Sequence, residues 1–264
     1  MQKLLKKLSP TLVFLIAFLP ISSWSKTAAP TSKLEKIPYQ QFSDEEFETY
    51  ETSSVEIYDP LEKANRKVFT FNNTFDRYFL EHVAKAYRSG VPKTARNSVR
   101  NFLVNLSEPL SAVNSILQGK SDNALATISN FLINSTLGVG GLFDVASKKG
   151  VIYKTEDFGQ TLGHYGISSG AYLMIPFLGP SSTRDFSGWA VDKSVDPLGF
   201  NFLEIGGNED LIESHNRITL ATVSAIDSRE SLIDILDDVR RESFDPYATI
   251  RSAYLQRRNT DIKN

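Results

Sequence analysis

Apolar positions recur at helical spacing along most of the chain, and no stretch alternates long enough to specify a sheet. Leu61, Ala64, Val68, Phe71, Phe75 and Phe79 mark a first helix. Its entry is Asp59-Pro60, with Asp59 as cap, Pro60 at the first helical position and Glu62 placed to complete a capping box. Ala95, Val99 and Phe102 predict a second helix from Thr94 to Leu106. Pro109 opens a short third helix through Leu117, which Gly119 ends. Ser121 caps a fourth that runs to about Leu137, where Gly138, Gly140 and Gly141 impose a stop and a turn. Helices return from Glu209 to Ile226, from Ser228 to Arg241 behind an Asp227–Glu230 capping box, and from Asp245-Pro246 to about Arg257. The fold class is mainly α.

Charge refines this picture at the N-terminus. Lys3, Lys6 and Lys7 precede an apolar run from Leu12 to Ile21 and then Ser23-Trp24-Ser25. That layout predicts a secretory signal over residues 1–25 with cleavage after Ser25, and the run is too short for the ~20 residues of a membrane span. An uncleaved anchor is the alternative. Residues 26–57 form an acidic tail with no sustained period, read as disordered. The helical body covers 58–258, and 259–264 are a C-terminal tail. Lys63 to Lys120 holds ten basic and three acidic residues, suited to anionic headgroups or to a solvated helical surface. An exported chain with this charge balance points away from nucleic acid.

The chain has no cysteine. Disulfides, thiolate metal sites, thiol catalysis and acylation at a lipobox are thereby set aside. Asn123 to Phe143 and Phe158 to Thr183 contain no charged residue, yet Gly or Pro breaks both. Such broken helices fit a buried core, or helices lying in one leaflet around a protein-lined cavity, and composition leaves both open.

The enzymatic candidate is Gly166-Ile167-Ser168-Ser169-Gly170, which fits the Gly-x-Ser-x-Gly elbow. Ser168, Asp185 and His215 have the chain order of a hydrolase triad, with His164 as another base. The segment before Ser168 is no apolar strand, so a glycine-serine loop is the preferred reading and an exported lipid hydrolase the alternative. Leu137 to Gly141 follows a helix and lacks the Lys-Ser or Lys-Thr of a phosphate loop, so it reads as a tight turn. The isolated histidines carry no zinc spacing. No cofactor or metal is implied. Arg184 and Arg251 are candidate phosphate contacts or structural ion pairs. Phe69, Phe71, Phe75, Tyr78 and Phe79 divide between core packing and a membrane face.

Five blocks in order carry a family resemblance: "DPLEKANR", "NFLVNLSEPLSAVNSILQG", "NFLINSTLGVGGLFDVA", "EDFGQTLGHYGISSGAYLMIPFLGPSSTRD" and "DPYATIRSAYLQRR". From about Tyr58 to Gln256 the sequence resembles the MlaA/VacJ family. The resemblance implies a helical ring in the inner leaflet of the outer membrane, with a central amphiphilic channel. It implies phospholipid passing from the outer leaflet to a periplasmic lipid carrier, association with a trimeric porin, and neither covalent chemistry nor a cofactor. Within it, Phe69, Phe71, Asn72, Phe75, Phe79, Tyr165 and Tyr172 are candidates for the channel or membrane face. Gly138, Gly140 and Gly141 are candidates for a gating hinge, against a rigid turn, and Arg184 and Arg251 for headgroup contact. Family members are commonly acylated on cysteine. Anchoring here would fall to amphipathic helices, the porin or the signal segment. A structural porin adaptor is a further alternative.

Overall fold

The computed structural model describes residues 59–195 and 214–263. The signal segment, Ser25 and the acidic tail lie outside them. The described elements are α1 (Glu62–Phe75), a π-helical turn (Asp76–Leu80), α2 (Glu81–Gly90), α3 (Lys93–Leu117), α4 (Ser121–Thr136), a 3-10 turn (Ser147–Lys149) and α5 (Phe158–His164). They continue with β1 (Tyr172–Ile175), β2 (Gly179–Ser182), α6 (Thr183–Val195), α7 (Ser214–Ser231), α8 (Ile233–Glu242) and α9 (Pro246–Lys263). The mainly α class stands.

Several expected boundaries move, each for a local reason. The second and third expected helices are one, α3, which passes through Pro109. An interior proline costs an isolated helix about 3 kcal/mol. Here packing offsets that cost, because Leu103, Asn105 and Glu108 before the proline and Ser111, Ala112, Asn114 and Ser115 after it are all buried. Ser121 is the first residue of α4, and Lys120 holds the cap position without a side-chain bond. Asp227 and Glu230 cap nothing. They lie inside α7, where Arg100 Nε donates to Asp227 Oδ2 at 2.9 Å and Arg100 Nη2 to Glu230 Oε2 at 3.0 Å. Nor does Asp59 cap α1. Its carboxylate instead accepts from Tyr247 Oη, Arg251 Nη1 (2.7 Å) and Asn65 Nδ2 (2.9 Å), tying the entry of α1 to α9. Residues 259–263, expected as tail, continue α9, where Ile262 packs on Gly163.

The β1–β2 hairpin was not expected from the pattern. It is antiparallel, with Tyr172 opposite Ser182 and Ile175 opposite Gly179. Its free edge is gripped by α1. Asn65 Nδ2 donates to the Tyr172 carbonyl, and Asn65 Oδ1 accepts from Met174 N, both at 2.9 Å. Two helical turns on, Asn72 treats Ile175 O (2.9 Å) and Phe177 N (2.8 Å) the same way. Each amide supplies one donor and one acceptor, so the two asparagines stand in for a third strand. Below them Tyr172, Met174 and Tyr247 form a small core with Val68, Phe69, Tyr254 and Leu255 packed against it.

Candidate functional site

Helices α3 and α4 fold back on each other through residues 118–120, and their side-chain pairs run antiparallel: Asn105 with Ser135, Glu108 with Asn130, Ser115 with Asn123. Their amphipathicity is turned inside out. On α3 the buried face carries Asn105, Glu108, Ser111, Asn114 and Ser115, while Val113, Ile116 and Leu117 are exposed. On α4 Thr127, Asn130 and Asn134 are buried, while Leu125, Ile128 and Leu132 are exposed. The apolar belt continues over Leu137, Val139, Leu142 and Phe143, with exposures from 38% to 62%. Among the described residues, buried polar and charged side chains outnumber buried hydrophobic ones. A water-soluble helix pair does the reverse, and a contiguous exposed apolar surface marks a partner or a membrane. No described helix is long and apolar enough to cross a membrane.

The inward face is a polar seam closed by the chain from 141 to 161. Asn134 Oδ1 accepts from Val145 N (2.8 Å) and Ala146 N (2.9 Å). Asn123 brackets Lys154 through its N–H (2.7 Å) and carbonyl (2.9 Å). Ser111 Oγ accepts from Glu156 N at 2.8 Å, and Asn114 bridges Thr161 Oγ1 (3.0 Å) to Asp192 Oδ1 (3.1 Å). These side chains satisfy irregular backbone that has no ladder of its own. Glu156 is paired with Lys120 at 2.8 Å. Two other acids in the seam accept from neutral donors. Burial pushes Glu108 up to about 7 against hydrogen bonds from Tyr153 and Asn130. Burial likewise pushes Asp192 up to about 6, against bonds from Phe158 N and Asn114. Among the described residues, four buried acceptors of this seam receive no hydrogen bond: Asn105 Oδ1, Glu108 Oε2, Gln118 Oε1 and Asn130 Oδ1.

A second cluster fixes the neighbouring helices. Asp185 Oδ1 accepts from Arg184 Nε (2.9 Å) and Nη2 (2.8 Å) and from Arg258 Nη2 (3.0 Å). Its Oδ2 takes Tyr254 Oη at 2.6 Å. Arg258 also grips Asp157, which caps α5 in a complete capping box with Gln160. Although burial raises it, the carboxyl of Asp185 is held at about 2, chiefly by Arg258.

The structure sorts the sequence candidates. Phe71 and Phe75 meet Phe177 of the hairpin loop edge-on at 5.0 and 5.1 Å, and Phe75 meets Phe79 at 5.4 Å. Phe71 and Phe79 are each 47% exposed, so this aromatic group is half outside the core. Phe69 packs edge-on to Tyr247 at 5.7 Å and belongs to the core. Tyr172, a candidate for the channel or membrane face, is 1% exposed, and its ring lies in the core. Asn72 is the hairpin clamp. Tyr165 is exposed and donates to the Leu117 carbonyl at 2.6 Å, at the end of the α3 belt.

Arg184 is buried and spent on Asp185 and the Ile167 carbonyl, and Arg251 on Asp59. Both arginines form ion pairs within the protein, the alternative to headgroup contact that the sequence left open. Gly138 to Gly141 form a pinned turn, with Gly140 N bonded to Ser135 O (3.0 Å), Gly141 N to Asn134 O (2.8 Å) and Phe143 N to Gly138 O (2.9 Å). Val139 is held there at φ 55, and Gly140 and Gly141 at φ 69 and 88. Ser168 and His164 are exposed, and the triad acid Asp185 is committed to two arginines. The His215 side chain lies outside the described residues. No cluster of three His, Cys, Asp or Glu able to hold a metal occurs among the described residues. The seam residues Glu108, Asn114, Asn130 and Asp192 were not singled out in the sequence. Their available signal was Glu108, the lone charge between Asn101 and Gly119.

A family model described as MlaA lipoprotein matches residues 57–261. The intermembrane phospholipid transport system lipoprotein MlaA of Escherichia coli (strain K12) is 37% identical over 203 residues, 75% of this chain and 76% of that protein. An uncharacterized protein of Rickettsia bellii is 36% identical over 230 residues, 84% of this chain and 86% of its own. A solved structure from work on the structural basis for maintenance of bacterial outer membrane lipid asymmetry superposes with a TM-score of 0.65 at 37% identity, covering 77% of this chain and 98% of that one.

Proposed function

The chain belongs to the MlaA family, and from that premise we propose that it removes misplaced phospholipid from the outer leaflet of the outer membrane and passes it toward the periplasm. The observation that carries this reading is the inversion of α3 and α4, with a buried polar seam inside and an apolar belt outside. A phospholipid conduit needs a surface that wets acyl chains beside one that tolerates a charged headgroup. The belt supplies the first; the buried seam turns the apolar faces of α3 and α4 outward, and the headgroup path is assigned to the inner wall of the ring. In this reading the helices lie in the inner leaflet of the outer membrane as a ring around the path, and no described helix is both long and apolar enough to cross it. A trimeric porin steadies the ring and a periplasmic carrier takes the lipid. The carrier's affinity sets the direction of transport. The pinned turn at Gly138, Gly140 and Gly141 borders the path and sets its rim.

Anchoring follows from the belt. Fully burying one aliphatic or aromatic side chain is worth roughly 1.5–3 kcal/mol. Ten half-exposed belt residues on α3, α4 and the following turn therefore contribute on the order of 10 kcal/mol gross. A single acyl chain binds with K of about 10⁴ M⁻¹, or roughly 5.5 kcal/mol. Before association costs are subtracted, the belt is of the same order as one acyl chain, and it is the anchor proposed for this chain.

The test is complementation of a Gram-negative strain lacking its own MlaA protein, reading surface-exposed phospholipid. Expression of this chain returns it toward wild type, and Ser168→Ala does so equally well. Unchanged surface phospholipid with protein present in the outer membrane refutes the conduit. Restoration lost in Ser168→Ala favours hydrolysis.

A further inference from the structure

Glu108 and Asn130 are each 2% exposed and face each other across α3 and α4. Asn130 Nδ2 donates to Glu108 Oε1 at 2.5 Å, and Tyr153 Oη donates to the same oxygen at 2.6 Å. The other carboxyl oxygen, Oε2, receives nothing, and neither does Asn130 Oδ1. An ionised carboxylate spreads its charge over both oxygens, so leaving one dry and unbonded is expensive. A neutral acid has the observed asymmetry: its carbonyl oxygen accepts, and its hydroxyl oxygen needs an acceptor. That acceptor is the unused carbonyl of the amide already bonded to its other oxygen.

We propose that Glu108 is held as the neutral acid, its Oε2–H donating to Asn130 Oδ1, so that the two side chains close a two-bond acid–amide ring that bolts α3 to α4 and opens when the proton leaves. One proton satisfies both orphaned atoms. The surroundings favour the neutral form. The titratable groups facing Glu108 are Tyr153, from the segment after the 3-10 turn, and Asp144, from the loop after α4; α4 itself presents the uncharged Asn130, and none brings positive charge. Burial, the largest cause, and Asp144 both push the carboxyl upward, to about 7. The ring is thus closed in a mildly acidic periplasm and opens as pH rises past neutrality, leaving an uncompensated charge in the seam. The inference stands on the seam geometry and does not depend on what the protein transports.

The experiment is infrared difference titration of the full chain in phospholipid nanodiscs, with carbon-13 glutamate to mark the carboxyl. The expected result is a protonated glutamic acid band at about pH 5.5 that disappears with a midpoint near pH 7 and is absent from Glu108→Gln. In Asp192→Asn the band persists, because that acid carries no glutamate label. Glu108→Gln keeps two hydrogen bonds to Asn130 without a titrating proton, so the fall of its thermal midpoint with rising pH is shallower than the wild type's and, above about pH 6 where Asp192 has already titrated, is largely lost. Absence of the band in the wild type at about pH 5.5 overturns the proposal. So does a band that survives Glu108→Gln, or one unchanged at about pH 9. If Glu108→Gln does not fold, the wild-type titration alone decides.

Discussion

Replacing Asp185 with asparagine keeps the shape of the α5–α6–α9 junction and removes its charge. In the native cluster Asp185 and Asp157 balance Arg184 and Arg258, all largely out of water. The variant leaves one positive charge uncompensated, and breaking a buried pair in this way typically costs about 3–5 kcal/mol. The linkage gives an independent lower figure. Holding the carboxyl at about 2 against its ordinary 3.8 corresponds to roughly 2.4 kcal/mol favouring the ionised form. The folded value is depressed, so this stability is present in full above about pH 4 and is lost as pH falls toward 2. The assay is chemical unfolding in detergent micelles, followed by circular dichroism for wild type and Asp185→Asn from about pH 7 to pH 3. The expected gap is about 2–4 kcal/mol at neutral pH, narrowing as the solution becomes acidic. Adding Arg184→Met to the variant restores neutrality and recovers part of the loss. A gap under about 0.5 kcal/mol at neutral pH, or one that does not change with pH, refutes the account of the cluster as a mutually compensated buried unit.

Gly188→Ala places a Cβ against Gly159 N and 2.6 Å from its Cα, backbone that cannot give way, so α5 and α6 must separate. Thermal unfolding should show a loss of at least about 1–3 kcal/mol, the usual range for overpacking. Asn65→Ala strips hydrogen bonds from Tyr172 O and Met174 N in a buried hairpin edge, at about 1–3 kcal/mol for each unpaired group. Hydrogen exchange at Met174 N should accelerate in that variant, and unchanged protection there would contradict the clamp.

Much of the fold is visible in the sequence, because helical periodicity and glycine punctuation are local. The first helix, the fourth, the break at Gly138 and the last helix after Asp245-Pro246 all follow from them. The periodicity reports that one face of a helix differs from the other, but not which face points inward. On α4 the polar set Thr127, Asn130 and Asn134 and the apolar set Leu125, Ile128 and Leu132 have the same spacing, and only tertiary contacts show that the polar one is inside. Capping signals failed where a carboxylate had a stronger distant partner. Asp59 turned to Tyr247 and Arg251, and Asp227 to Arg100. Pro109 misled because buried residues on both sides carry α3 across it. The hairpin went unseen because its strands are four residues each and their third partner is a pair of asparagines on a helix. The seam was illegible for the same reason: Glu108 meets Asn130 and Tyr153 from across the fold.

The claim on which the functional account rests is that the apolar faces of α3 and α4 sit in acyl chains. With no native cysteine, single cysteines at Leu125, Ile128, Leu132 and, as an exposed reference, Lys149 carry an environment-sensitive dye cleanly. The measurement is quenching in nanodiscs by acyl-chain bromines and by aqueous iodide. The account predicts strong bromine quenching and weak iodide quenching at 125, 128 and 132, with the opposite at 149. Iodide quenching at 125, 128 and 132 equal to that at 149, with no response to brominated lipid, would contradict it.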